Sequence, residues 1–134
     1  MEQLKLLMDY TLFHAGVYIT LGGLMVALLG LKSFEDRALK MMPYLYAALG
    51  LFLLAGFCAG IIASNIPYHR EFGEFTQAWI GPWMATHLVR AQFCMSLEHT
   101  AFWAGIAIFL FGFWKSAPPK TGAQAHRPRN GAPV

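Results

Sequence analysis

Residues 10–31 read YTLFHAGVYITLGGLMVALLGL, an unbroken run without a lysine, arginine, aspartate or glutamate. A helix of about 20 residues, rising 1.5 Å per residue, crosses a hydrocarbon core about 30 Å thick. The run is long enough to span a bilayer. Two further apolar stretches match it, one over residues 43–64 and one ending at Trp114. Composition agrees, with 57% hydrophobic and 13% charged residues, against roughly 25% charged in a soluble domain. A chain of 134 residues leaves no room for a soluble domain beside three spans. The expected fold is an all-α integral membrane protein with three transmembrane helices in a small bundle, over residues 1–115. A polar, basic, Pro/Gly-rich tail of disordered composition follows at 116–134.

The first helix is expected from about residue 5 to 31. Tyr10, His14, Tyr18, Leu21 and Met25 fall on one stripe of it, and Gly22, Gly23 and Ala27 make a small-residue surface. The short, charged connection 32–42 makes the first two helices antiparallel neighbours. Pro43 is then expected in the first turn of the second helix, where its missing N–H costs nothing. Gly56 and Gly60 form a G-x-x-x-G, a spacing that lets membrane helices approach closely, so both are expected to face another helix. Between residues 68 and 81, His69, Arg70, Glu71 and Glu74 interleave with Phe72, Phe75, Trp79 and Ile80. That mixture predicts an interfacial loop or short helix. From Pro82 the pattern reads as helix to Trp114, about 50 Å, so its first turns should project beyond the hydrocarbon.

The net charge of +3 is no nucleic-acid footprint, but its distribution orients the chain. Lys32, Arg37, Lys40, Lys115, Lys120, Arg127 and Arg129 lie on one side of the spans, and only Lys5, Arg70 and Arg90 on the other. The positive-inside rule places the first loop and the C-terminus in the cytoplasm and the N-terminus outside. A multi-pass protein of a bacterial inner membrane, with lipid as its first partner, is the expected setting. The N-terminal segment has one lysine against two acids and no small-residue cleavage site, so it is expected to be retained. Cys58 and Cys94 have no C-x-x-C spacing and are expected to be buried free thiols that pack like small hydrophobes.

Ionisable groups inside spans are costly and point to function. His14 lies in the first span, Glu98 and His99 in the third. Counted back from Lys32 and Lys115, His14 and His99 lie about 27 and 24 Å along helices of parallel direction. They should be level. Imidazoles so placed, with Ala15, Gly16, Ala101 and Gly105 nearby, predict a shared haem b iron. Arg70 and Arg90 would meet its propionates. A metal ion is the alternative cofactor, held by Glu98, His99 and His14 with His87 as a further ligand; His87, Cys94 and Glu98 lie at i, i+7 and i+11 on one helix face. An Arg90–Glu98 ion pair and simple polar packing of the histidines need no cofactor at all. His69 reads as a solvated loop residue and His126 as part of the tail.

In length and number of spans the chain is similar to the haem-bearing anchor subunits of succinate dehydrogenases and fumarate reductases. The likeness is architectural and carries no residues across. Together these features predict a small membrane subunit of a respiratory or photosynthetic electron-transfer complex, with other membrane subunits, and a quinone, as partners. The alternatives are a structural accessory subunit and a metal-handling membrane protein. No nucleophile, phosphate loop or catalytic triad is visible.

Overall fold

The computed structural model describes residues 2–30, 35–82 and 87–117. Three long helices dominate: α1 (Glu2–Leu29), α2 (Glu35–Asn65) and α4 (Ala91–Lys115). Each is long and apolar enough to cross a membrane. Between α2 and α4 the chain makes a 3-10 turn (Ile66–Tyr68), a short helix α3 (Phe72–Gln77) and a hairpin of β1 (Trp79–Ile80) with β2 (Val89–Arg90). The strands pair antiparallel, Trp79 opposite Arg90 and Ile80 opposite Val89.

The hairpin corrects the expected long third helix. Gly81 and Pro82 interrupt the chain directly after Ile80, and proline offers no N–H to continue a helix. The backbone at 88–91 instead finds partners in the preceding segment. Leu88 donates to the Ile80 carbonyl at 3.1 Å and Ala91 to that of Ala78 at 2.9 Å. Helix α4 therefore starts at Ala91 and runs about 37 Å, a membrane length. Lys115 closes its last turn, where a cation suits the helix dipole.

Helix α2 also differs from expectation. It begins by Glu35, so Pro43 lies inside it and leaves the Leu39 carbonyl without its helical donor. Residues 32–34 of the expected connection, including Lys32, lie outside the described residues. So does the tail from 118 on, with Lys120, His126, Arg127 and Arg129.

Helix α2 is the centre of the bundle. In its apolar stretch 44% of residues are buried, against 17% in α1 and 28% in α4. Its contact with α4 is the tightest because small residues meet there: Ala48, Ala55 and Ala59 on α2, Ala101, Gly105 and Gly112 on α4. Small residues let the two backbones approach and gain packing contact along their length. The G-x-x-x-G takes little part. Gly56 has only the Tyr18 ring near it, and a side chain at Gly60 would meet nothing within 4 Å.

The turn, α3 and hairpin form a cap on the end of the bundle that carries the N-terminus. Phe75 and Ile80 are fully buried against Leu4, Ile62, Ile66 and Ala91. Burying each such side chain stabilises by about 2 kcal/mol. Asn65 fastens the cap: its amide donates to the Ile61 carbonyl at 2.8 Å and the Gly81 carbonyl at 2.9 Å. Asn65→Ala is expected to loosen it by about 1–2 kcal/mol, seen as faster hydrogen exchange at residues 79–82 and 88–91 with the helix interiors unchanged.

Candidate functional site

The stripe Tyr10, His14 and Tyr18 on α1 faces Glu98, His99 and Phe102 on α4. Each element supplies its residues by helical spacing, i, i+4 and i+8 on α1 and consecutive turns on α4. The cluster lies about 12 Å below the capped helix ends. The level placement of His14 and His99 expected from the basic anchors is what the helices produce. Their ring centroids are 5.6 Å apart with planes at 81°.

Four of these side chains form one hydrogen-bonded series. The Tyr10 hydroxyl lies 2.7 Å from His99 Nε2. On the other edge of the ring, His99 Nδ1 lies 3.3 Å from Glu98 Oε2. The second carboxylate oxygen, Oε1, accepts from the Tyr18 hydroxyl. One proton arrangement satisfies all three contacts: Tyr10 donates to Nε2, Nδ1–H donates to Oε2, and Tyr18 donates to Oε1. The carboxylate then accepts two hydrogen bonds, which compensates the cost of placing it 4% exposed inside a span. The series runs inward. Tyr10 is 42% exposed and the His99 side chain 47%, whereas Tyr18 is 5% exposed.

His14 sits beside this series without joining it. Its ring is wedged between Tyr10, 3.9 Å between centroids, and Tyr18, stacked at 6.0 Å with planes at 10°. Phe102 closes a third side at 5.9 Å. His14 Nδ1 is buried with no hydrogen-bond partner among the described residues.

These contacts bear on the expected haem. Iron would take one ring nitrogen from each histidine, yet in this arrangement Tyr10 holds Nε2 of His99 and Glu98 holds Nδ1. The Tyr10 ring also stands against both imidazoles, where a porphyrin edge would have to pass. The residues as arranged do not fit a bis-histidine haem. Arg70 and Arg90, expected at its propionates, belong to the cap. Arg70 is exposed, its backbone N–H 3.5 Å from Glu74 Oε2, and Arg90 lies over the Trp79 ring at 5.9 Å.

The expected metal set comes together only in part, with His14, His99 and Glu98 in the cluster and His87 apart from it. His87 lies on the hairpin and not on α4, with Nδ1 3.0 Å from the Trp79 carbonyl, so the stripe it was to share with Glu98 does not exist. Among the described residues no three His, Cys, Asp or Glu side chains converge on one metal position. The Arg90–Glu98 pair fails for the same reason, and Glu98 is partnered by Tyr18 and His99 instead. His69 is more enclosed than expected, packed edge-on to Phe75 at 5.4 Å and 3.8 Å from Glu74.

Two tyrosines thus carry roles that sequence spacing showed only as positions on a stripe. Tyr18 has a second one. It forms a wall of an apolar groove of about 610 Å³ between α1 and α2, lined also by Ala15, Gly22, Gly23, Phe52 and Gly56. Comparison of the chain with protein-family models, with curated proteins and with solved structures finds no match.

Proposed function

We propose that this chain is a small membrane subunit of an electron-transfer assembly, and that Tyr10, His99, Glu98 and Tyr18 relay protons between the capped end of the bundle and a quinone. The observation that carries this reading is the continuous hydrogen-bonded series. Chains of protic side chains inside spans serve as proton relays, and imidazole is the side chain best suited to pass a proton near neutral pH. A proton entering at Tyr10 passes to Nε2, and the Nδ1 proton moves on to Glu98, which is neutralised. Tyr18 then links Glu98 to the groove. The groove's volume and apolar lining suit a small ligand, and a quinone joins an apolar tail to oxygens that take up protons with electrons. The excess of basic residues at the opposite end supports an entrance on the outer side of a bacterial inner membrane.

The test is infrared difference spectroscopy of the full chain in lipid nanodiscs, titrated with a short-chain ubiquinone and its quinol. A saturable carboxyl signal that vanishes in Glu98→Gln is expected. Absence of both saturable binding and the signal would leave an accessory subunit. Haem ligation by His14 and His99 is not the reading this arrangement favours, because Tyr10 and Glu98 hold both ring nitrogens of His99. A Soret band in the purified protein, lost in both His14→Ala and His99→Ala, would move the assignment there.

A further inference from the structure

Cys58 of α2 and Cys94 of α4 meet across the tightest helix contact in the bundle. They are 3% and 2% exposed and belong to one apolar cluster. The Cys94 thiol donates to the Cys58 carbonyl at 3.6 Å, so the two residues are in direct contact across the α2–α4 seam. Isolated buried thiols are inert packing groups. These two differ because they meet each other across the seam, and because Glu98 lies one helical turn beyond Cys94 on the same buried stripe. A carboxylate is thus placed to take a thiol proton.

We infer that Cys58 and Cys94 form a redox-active dithiol that closes to a disulfide between α2 and α4, with a membrane quinone as the electron acceptor. The choice of acceptor rests on the proposed function above. Two S–H bonds break and one S–S bond forms. The dithiol is oxidised by two electrons, and the quinone is reduced to quinol by those electrons and the two released protons. Glu98 receives the proton of the attacking thiol, and the bonded series connects it to Tyr18. The acceptor must be lipid-soluble because the pair is enclosed by apolar side chains. On the α1 side the cover is thin: Leu7 and Met8 are only partly buried, on the least buried of the three spans. The pair also lies toward the capped end of the bundle, the side that charge asymmetry places outside, where disulfides persist.

The experiment uses the full chain in nanodiscs, without oxygen, incubated with decylubiquinone or with diamide. Acid quenching, denaturation and alkylation with a polyethylene-glycol maleimide then count free thiols, while absorbance follows quinol. Wild type is expected to pass from two labelled thiols to none, with one quinol formed per disulfide. Cys58→Ser and Cys94→Ser should each keep one labelled thiol and form no quinol. Glu98→Gln should still close with diamide but close with quinone about a hundredfold more slowly. Thiols that stay open with both oxidants overturn the inference. Closure by diamide alone, in samples whose infrared titration shows quinone bound, overturns it too and leaves the relay standing. Absence of quinone binding removes both.

Discussion

Gly112→Leu is expected to release α4 from α2 and to cost about 3 kcal/mol or more. The reason is backbone proximity. A Cβ built on Gly112 would lie 2.5 Å from Cβ of Tyr44 and 2.7 Å from its Cγ. The Tyr44 Cβ is fixed to the α2 backbone, so no rotamer change clears it and the helices must part. Gly105 is the milder site. There an added Cβ would meet the Phe52 ring edge at 2.7 Å and the Ala48 carbonyl at 3.4 Å, and the ring has some freedom to turn. Gly60→Leu is the control, since its side chain would enter open space. Unfolding in SDS, followed by tryptophan fluorescence, should give midpoints falling in the order Gly60→Leu, Gly105→Leu, Gly112→Leu. A Gly112→Leu midpoint equal to wild type would mean that α2 and α4 do not approach as described.

That order inverts what the glycine spacing alone recommends, and the inversion shows which features a sequence makes visible. The three spans are legible because hydropathy over about 20 residues is a bulk property that no single contact can reverse. The inward stripe Tyr10–His14–Tyr18 is legible for a similar reason, being fixed by helical periodicity. Which glycine meets a neighbour depends on rotation about the helix axis. Gly56–Gly60 and Gly105–Gly112 carry no local signal that tells them apart. The hairpin escaped because Trp79–Ile80 and Val89–Arg90 are too short to show strand alternation, though Gly81–Pro82 did mark a break. Once α4 starts at Ala91, His87 leaves the helical stripe and is lost to the expected metal set. The pairing of Tyr18 with Glu98 was equally hidden. Adjacent residues such as Glu98 and His99 project about 100° apart, and only the tyrosines arriving from α1 turn them into a series.

Replacing Glu98 separates the structural role of that series from the proposed proton relay. Glu98→Ala removes the acceptor for the Tyr18 hydroxyl and the partner of His99 Nδ1, and it leaves a void beside Cys94. Unsatisfied buried groups cost about 1–3 kcal/mol each, so a loss of about 3 kcal/mol is expected, with α1 coming away first. Helix α1 is the least buried span, and the polar contacts described between it and α4 are Tyr10–His99 and Tyr18–Glu98. Glu98→Gln should behave differently. Its amide oxygen still accepts from Tyr18 and its NH₂ can donate to a ring nitrogen of His99, so stability should change by no more than about 1 kcal/mol. Yet an amide neither binds nor releases a proton near neutral pH. In a reconstituted quinone-reducing assembly, Glu98→Gln should therefore assemble normally and turn over slowly, while Glu98→Ala should fail to assemble. Equal turnover in wild type and Glu98→Gln would show that the series holds α1 to α4 and carries no protons.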